Sequence, residues 1–326
     1  MGGCVKAVRV HEFGGSDQLQ VEEVPCLVPG PGEVVVSIKA AGINPVDTYI
    51  RNGTYALRPA LPYIPGIDGA GVVSQIGTDV EHLAPGDRVY VSLPMSGTYA
   101  EQCLCGANNV YPLPENASFE QGAAIGIPYL TAYRALFHFA QARAGESILI
   151  HGASGGVGIA SVQFARAHGL QVLGTAGTEK GRGLVLESGA HHALDHTSAT
   201  MAQQILALTG GTGPDVILEM LANKNLANDL AMIAKCGRIV VIGNRGPAEV
   251  NMRDAMEKGI TIFAMVLFNA TPDELDEGHA AIRAGLELGT LKPVIGTTFE
   301  LQRAWAAHDA VLSQAGGAAG KIILLP

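Results

Sequence analysis

The stretch SILIHGASGGVGIASVQFARAHGLQVLGTAG, residues 147–177, decides the fold of this chain. An apolar run typical of a buried strand, Ser147–His151, leads through the glycine-rich turn Gly152–Gly158 into an apolar helix. A second apolar run, Gln171–Thr175, completes a strand–helix–strand unit. Glycines in such a turn let the backbone approach a pyrophosphate, and the helix N-terminus offers unpaired N–H groups and a positive dipole end. The spacing G-x-x-G-G-x-G is a variant of the dinucleotide fingerprint, so the unit predicts a dinucleotide-binding domain.

Strands and helices keep alternating on both sides of this unit. Such alternation, with helices of about 10–15 residues, is typical of a parallel sheet with helices on both faces, and it predicts an α/β fold with a doubly wound sheet. The further predicted strands are Asp215–Glu219, Gly237–Ile242 and Ile260–Val266. The predicted helices are Tyr129–Gln141, Val157–His168, Glu179–Ser188, Thr200–Leu208, Lys224–Ala234 and Pro272–Leu288.

The first ~120 residues are rich in predicted β-strands instead. These strands are Val5–Val10, Leu19–Val24, Glu33–Ala40, Gly69–Ile76 and Asp87–Val91. The end of the chain returns to this pattern, with predicted strands Thr297–Glu300 and Lys321–Leu325 around a helix, Leu301–Ser313. We therefore expect the C-terminal segment to rejoin the N-terminal β domain.

Length and composition limit the classes of function. A chain of 326 residues predicts about two domains. Its net charge of −9 argues against nucleic acid or an anionic membrane as the main ligand. Five scattered cysteines do not suit a disulfide scaffold, and the longest apolar stretch, Ile260–Phe268, is far shorter than the ~20 residues of a membrane-spanning helix. These features suit a cytoplasmic enzyme.

The end of the second strand of the unit indicates which dinucleotide binds. NAD-binding domains carry Asp or Glu there to hold the ribose 2′-hydroxyl, whereas Gly174–Gly177 carries no carboxylate. Lys180 and His196 supply a nearby cation and donor, so the sequence favours NADPH. The alternative for Lys180 is an ordinary surface lysine, and Glu179 beside it can pair with it.

Several segments along the whole chain resemble the zeta-crystallin-type quinone oxidoreductases of the medium-chain dehydrogenase/reductase superfamily. They are Asn44–Tyr55, Leu61–Gly66, Gln121–Ala135, His151–Gly158, Glu219–Asn223, Leu291–Gly296 and Gly320–Leu325. The resemblance implies a GroES-like β-rich catalytic domain, residues 1–122 and 295–326, and a Rossmann NADPH-binding domain, residues 123–294. It also implies NADPH-dependent reduction of quinones by a homodimer or homotetramer.

The same resemblance implies that the catalytic metal of related alcohol dehydrogenases is missing. Those enzymes bind zinc through a cysteine and a Gly-His-Glu motif, and here Asn44 and Ile67-Asp68 stand at these positions. Isoleucine cannot ligate a metal and asparagine is a poor zinc ligand. Only Cys103 and Cys105 lie where a structural site needs four cysteines. We therefore expect no metal and an acceptor that is already electrophilic, since no Lewis acid remains to polarise an alcohol.

Site residues follow from the same resemblance. The implied catalytic residues are Asn44, Tyr49 and Tyr55, whose amide and phenols suit a carbonyl that gains negative charge. Tyr49 is also implied to contact the cofactor, and packing is the alternative role for Tyr55. The other implied cofactor residues are Thr131, Ser154, Gly155, Gly156, Val157, Gly177, Lys180, His196, Asn225, Gly243, Asn244, Arg245, Met265, Val266 and Leu267. His196 departs from relatives that carry tyrosine there.

Two other functions stay open at this stage. One is NADPH-dependent reduction of the C=C bond of alkenals or enones, which would differ in the shape of the pocket. The other is a crystallin-like or RNA-binding role, which the net charge of −9 and the lack of a basic cluster disfavour. The sequence decides neither the particular quinone nor whether one or two electrons are transferred at a time.

Overall fold

The computed structural model describes residues 3–313 and 317–326. They form two compact units. The first comprises the described residues through Ile127, those from Pro293 to Ser313, and Gly320–Pro326. The second comprises Pro128–Lys292 and residues 317–319. The sequence predicted the divisions at residues 122/123 and 294/295, and the limits of the independently folding domains stay a prediction.

The first unit is built on β-strands. Its strands are β1 (Cys4–Arg9), β2 (Gln20–Pro25), β3 (Glu33–Ile43), β4 (Asp68–Ile76), β5 (Arg88–Ser92), β6 (Gln102–Gly106), β7 (Val110–Pro112), β14 (Ile295–Glu300) and β15 (Lys321–Leu325). Its helices are α1 (Pro45–Arg51), α2 (Phe119–Gly122) and α10 (Ala304–Leu312). Strands β1 and β2 pair antiparallel, and the main sheet has the order β14-β15-β3-β4-β5-β7, with β6 on β3. Because β15 pairs with β3, the C-terminal segment does rejoin the N-terminal β domain.

The second unit is a parallel sheet flanked by helices. Its strands are β8 (Ser147–Ile150), β9 (Gln171–Thr175), β10 (His192–Leu194), β11 (Val216–Glu219), β12 (Arg238–Val241) and β13 (Thr261–Ala264). Its helices are α3 (Gly126–Tyr133, whose first two residues belong to the first unit), α4 (Gly156–Ala167), α5 (Glu179–Glu187), α6 (Met201–Leu208), α7 (Ala222–Met232), α8 (Met252–Lys258) and α9 (Pro272–Glu287). The order β10-β9-β8-β11-β12-β13 is the doubly wound order that the alternation predicted.

Alternating apolar residues build the core of each unit. In the first, Val34 and Val36 of β3 and Leu324 of β15 are completely buried. In the second, Leu149 of β8 and Ile217 of β11 are completely buried against α6 and α7. No helix among residues 3–313 and 317–326 is long and apolar enough to cross a membrane.

Two predicted elements differ from the structure. The helix predicted over Tyr129–Gln141 is α-helical only to Tyr133 and continues as a π-helix over Arg134–Phe139. Arg134 gives a reason, because its buried guanidinium donates to the carbonyls of Val266 and Asn269 at 3.0 and 3.3 Å and pairs with Glu274. The wider turns of the π-helix begin at Arg134, the residue that these contacts hold in place. The strand predicted over Ile260–Val266 is shorter, Thr261–Ala264.

Candidate active site

The glycine-rich turn connects β8 to α4. Gly155 is the N-cap residue of α4, and no side chain in the described part of the chain caps this helix. A Cβ on Gly158 would lie 2.4 Å from the carbonyl oxygen of Gly152, so this glycine is needed for the turn to close. A Cβ on Gly155 would meet only ordinary contacts, at 3.5 Å. The turn therefore leaves the helix N-terminus open at Gly155, as an incoming phosphate requires.

The topology places this turn where doubly wound sheets bind ligands. Strand β8 pairs with β9 on one side and with β11 on the other. The chain order of the strands reverses between β8 and β11, and ligands bind at the carboxyl ends of the strands at such a point. The partly exposed Gly155, Gly156 and Val157 follow β8, whereas Ser154 is buried at 4% exposure. Ser154 itself does not cap α4, whose N-cap residue is Gly155.

The tip of β9 brings two predicted cofactor residues together. A Cβ on Gly177 would lie 2.7 Å from Nε2 of His196, so the missing side chain makes room for the imidazole. Burial lowers the pKa of His196, although Asp195 opposes this, so the ring is mostly neutral at pH 7. Lys180 is exposed in the first turn of α5. Lys180 is therefore an exposed cation at this edge and His196 a neutral hydrogen-bonding group.

The segments that follow β11 and β12 are joined by hydrogen bonds. Asn223 donates its backbone N–H to Oδ1 of Asn244 at 2.9 Å, and Arg245 donates its N–H to Oδ1 of Asn223 at 3.1 Å. A Cβ on Gly243 would lie 2.2 Å from the carbonyl oxygen of Met220, which explains the glycine there. The side chain of Asn244 thus has a structural task, and the sequence analysis missed its partner Asn223.

Of the other predicted cofactor residues of this unit, Asn225 lies on α7 and the rest lie on α3 or after β13. Thr131 is buried within α3. Met265 and Leu267 are also buried, whereas Val266 between them is 42% exposed. The carbonyl of Val266 accepts a hydrogen bond from Arg134, so this segment is tied to the π-helix.

A buried cluster of His151, Glu219 and Asp229 lies at the same end of the sheet and was missed by the sequence analysis. His151 Nε2 lies 2.8 Å from Asp229 Oδ1 and 3.5 Å from Glu219 Oε2. Glu219 Oε1 accepts the backbone N–H of Leu221 and, at 3.1 Å, a bond from Asn225. The other oxygens, Glu219 Oε2 and Asp229 Oδ2, are buried without a hydrogen-bond partner.

Burial and neighbouring charges decide the protonation of this cluster. Burial raises the pKa of Glu219 to about 7, with Asp229 adding to the rise and His151 opposing it. Burial alone would lower the pKa of His151, but the bond to Asp229 and the two negative charges raise it overall. A proton shared between Glu219 and Asp229 would satisfy both orphaned oxygens. The cluster therefore holds the turn after β8 to the segment after β11, and burial lets Glu219 keep its proton to a higher pH than an exposed carboxyl group would.

Replacing Glu219 by glutamine is expected to stabilise the protein at pH 8. A carboxyl whose folded pKa is raised contributes stability below its unfolded pKa and loses it as pH rises through the folded value, here from about 4.5 to about 7. Glutamine keeps the acceptor for Leu221 and donates to Asp229. We expect the variant to gain on the order of 2 kcal/mol over the unmodified protein between pH 5 and pH 8, measured by urea unfolding. The exposed Glu187→Gln is the control, and an E219Q difference independent of pH would contradict the assignment.

In the first unit, two of the three residues that the resemblance places at zinc-binding positions, Asn44 and Asp68, belong to a buried polar cluster with Lys321. Asn44 Nδ2 donates to Asp68 Oδ2 at 2.8 Å. The Lys321 ammonium donates to Asn44 Oδ1 and lies 3.2 Å from Asp68 Oδ2. Asp68 Oδ1 accepts the backbone N–H of Ile127 at 2.8 Å. The sequence analysis did not single out Lys321, although it is a lysine that begins an apolar strand.

A second chain of buried polar groups starts at the first turn of α1. Asp47 Oδ2 accepts the backbone N–H of Asn44 at 2.8 Å and the hydroxyl of Tyr99 at 3.0 Å. The Tyr99 hydroxyl lies 3.1 Å from Nε2 of His308, whose Nδ1 lies 3.4 Å from Arg51. Burial raises the pKa of Asp47 to about 7, although the Asn44 bond and Lys321 oppose this, and burial lowers that of His308 to about 3. Asp47 thus fixes the start of α1 by binding the backbone of Asn44 and the buried hydroxyl of Tyr99.

Helix α1 and the turn after it place the two predicted tyrosines. Tyr49 is on α1, and its carbonyl accepts the backbone N–H of Tyr55 at 3.2 Å. Both side chains are half-buried, and burial raises the pKa of Tyr55, which keeps its phenol protonated at neutral pH. The structure therefore brings Asn44, Tyr49 and Tyr55 into one segment whose start is fixed by Asp47.

The donor set at the former metal position does not suit zinc. Both ends of the Asn44 amide are engaged, and the Asp68 carboxylate is paired with an ammonium. Ile67 offers no donor atom. A cation placed among these groups would have to displace Lys321. Elsewhere, His151, Glu219 and Asp229 hold donor atoms within 4.8 Å of one another, but the hydrogen bond between His151 and Asp229 and the raised pKa values of His151 and Glu219 fit a bound proton.

Each unit contains a region that matches a known family of dehydrogenase domains. Residues 30–126 match the family described as "Alcohol dehydrogenase GroES-like domain", and residues 156–283 match "Zinc-binding dehydrogenase". The quinone oxidoreductase of Rattus norvegicus is 50% identical over 323 residues, which is 98% of this chain and 98% of that protein.

Two solved structures extend the comparison. The Escherichia coli quinone oxidoreductase complexed with NADPH superposes with a TM-score of 0.88 at 30% identity, covering 98% of this chain and 100% of that one. The CurK enoyl reductase has a TM-score of 0.88 at 26% identity, covering 98% and 99%. The fold is therefore shared by proteins named for quinone reduction and for enoyl reduction.

Proposed function

This chain belongs to the zeta-crystallin-type quinone oxidoreductases of the medium-chain dehydrogenase/reductase superfamily, and we propose on that basis that it reduces quinones with NADPH and without a metal. Identity of 50% along 98% of both chains is the observation that carries the proposal. Quinones are electrophilic without a Lewis acid, which agrees with a donor set at Asn44 and Asp68 that does not suit zinc.

The second unit provides features that suit NADPH. The open N-terminus of α4 at Gly155 would accept the pyrophosphate. The tip of β9 has no carboxylate to repel a 2′-phosphate, and Lys180 is an exposed cation beside it. When bound, NADPH supplies the reducing electrons. The protein supplies the groups that bind NADPH, and residues 174–177 carry no carboxylate that would repel its 2′-phosphate.

The first unit provides the groups proposed to act on the acceptor. A quinone oxygen gains negative charge as it is reduced, by one electron or by two. The Asn44 amide N–H and the Tyr55 hydroxyl are donors that would stabilise that charge. Tyr49, half-buried on α1, is proposed to contact the cofactor.

The proposed activity is tested by NADPH oxidation with a panel of quinones and enals, run with and without a chelator. We expect turnover with at least one quinone, equal in both conditions, and no stoichiometric zinc by elemental analysis. Turnover of enals alone would favour the second candidate, C=C reduction, for which the CurK enoyl reductase likeness speaks. A gel shift that persists at raised salt would instead support RNA binding.

We further propose that the protein is cytoplasmic and assembles as a homodimer or homotetramer through the edge strand β13. Thr261 and Met265 donate their N–H groups toward β12, at 3.0 and 3.1 Å, so those of Ile262 and Ala264 point away from the sheet. Open strand edges invite pairing with another chain, and pairing two copies of β13 antiparallel gives a two-fold interface.

Light scattering at micromolar concentration is expected to give at least twice the mass of one chain. Ala264→Pro removes an outward N–H without touching the bonds to β12, so we expect it to shift the protein toward the monomer. Ala264→Val, which keeps that N–H, is the matched control. A monomeric unmodified protein would rule out this assembly.

A further inference from the structure

The buried amide of Asn44 has its two ends fixed by groups of opposite character. An ammonium can only donate hydrogen bonds and a carboxylate can only accept them. Oδ1 must therefore face Lys321, and Nδ2 must face Asp68, with which it shares a bond of 2.8 Å. Asn44 is 2% exposed, so its amide has no room to exchange its ends.

This arrangement leaves one defined hydrogen-bonding group on Nδ2. The nitrogen carries two N–H groups, and one is directed at Asp68. The second N–H is the group that remains for an acceptor. Because Lys321 withdraws electron density at Oδ1, the amide is polarised and its N–H groups become stronger donors.

The pairing of β15 with β3 places Lys321 next to Asn44. Its strand β15 pairs antiparallel with β3, whose last residue directly precedes Asn44. Lys321 is 4% exposed, and its ammonium contacts both Asn44 and Asp68. A buried ammonium is costly unless it is paired, and here Asp68 provides the pairing while Asn44 Oδ1 accepts a second hydrogen bond from the ammonium.

We propose that Lys321 is a positioning residue for the reduction: through Asn44 it orients and polarises the amide N–H that binds the carbonyl oxygen of the acceptor. The inference rests on the proposed function, because it assumes that this oxygen meets Asn44. The positive charge of Lys321 then acts where a metal would otherwise polarise the acceptor.

The test is a double-mutant cycle with Lys321→Met and Asn44→Ala, assayed with NADPH and a series of acceptors. We expect Lys321→Met to lower kcat about tenfold and to leave the Kd for NADPH within about twofold. In the Asn44→Ala background it should cause no further loss. The loss should also grow as the acceptor becomes harder to reduce, which a merely structural role would not produce. The exposed Lys39→Met is the matched control.

Three results would overturn the inference. One is full kcat in Lys321→Met, and another is an equal loss with and without Asn44. Because Lys321→Met leaves Asp68 unpaired, the pair Asp68→Asn/Lys321→Met provides a charge-neutral variant; wild-type kcat in it would show that Lys321 only neutralises Asp68. Turnover of the unmodified protein decides the proposed function separately, and the cycle applies to whichever carbonyl acceptor, quinone or enone, is reduced.

Discussion

NADPH binding is expected to weaken at least about a hundredfold when Gly155 is replaced by valine, with the fold intact. Gly155 has φ −84° and ψ 175°, an extended conformation that valine favours. A Cβ there meets protein atoms only at 3.5 Å, so the protein can hold the side chain. The same side chain would keep a phosphate from the N–H groups at the start of α4. Two lost charge-assisted bonds, at about 1.5–3 kcal/mol each, correspond to a hundredfold or more.

Two further glycine variants separate this effect from damage to the fold. Gly106, the last residue of β6 in the first unit, is likewise extended and precedes a short 3-10 helix, Ala107–Asn109. It has open space around it, so Gly106→Val should bind NADPH normally. Gly158→Val should lose thermal stability as well as binding, because its Cβ would lie 2.4 Å from the Gly152 carbonyl oxygen. Titration calorimetry and thermal unfolding give the two readouts. Normal NADPH affinity in Gly155→Val would show that the phosphates do not bind at this turn.

Local patterns were enough to predict most of the fold. The alternation of apolar runs gave every strand of the parallel sheet except β10, whose three residues, His192–Leu194, are too short and too polar to stand out. Helix α8, Met252–Lys258, was missed because it is short and largely exposed. The π-helix after α3 depends on contacts of Arg134 with residues more than a hundred positions away, which no local pattern contains.

The candidate site was predictable where it depends on neighbouring residues and unpredictable where it depends on distant ones. The glycine-rich turn and the tip of β9 each lie within a few residues, so a local pattern is enough to propose them. Lys321 meets Asn44 across 277 positions, and His151 meets Asp229 across 78. Such pairs form because a buried charge requires a partner, and only the folded chain shows which one it finds. Resemblance located Asn44 but did not reveal that its amide is fixed in one orientation.

The efficiency kcat/KM with NADPH is expected to exceed that with NADH by at least about tenfold. A carboxylate at the tip of β9 would repel a 2′-phosphate and bind the ribose diol, but residues 174–177 provide none. Lys180 is an exposed cation on the first turn of α5, and a charge-assisted bond to the phosphate is worth about 1.5–3 kcal/mol. At about 1.4 kcal/mol per decade, this corresponds to roughly a 10- to 100-fold preference.

Adjacent charges at the start of α5 allow a matched test of this preference. Lys180→Ala should reduce it by raising KM for NADPH alone, since NADH has no 2′-phosphate to lose. Glu179 is exposed beside Lys180, and its negative charge offsets the attraction of the ammonium for a phosphate, so Glu179→Ala should increase the preference. Opposite effects from neighbouring residues exclude a general disturbance of the helix. Equal efficiency of the unmodified protein with both cofactors would show that the missing carboxylate was misinterpreted. An undiminished preference in Lys180→Ala would move the contact to His196, whose lowered pKa makes it a neutral donor rather than a cation at pH 7.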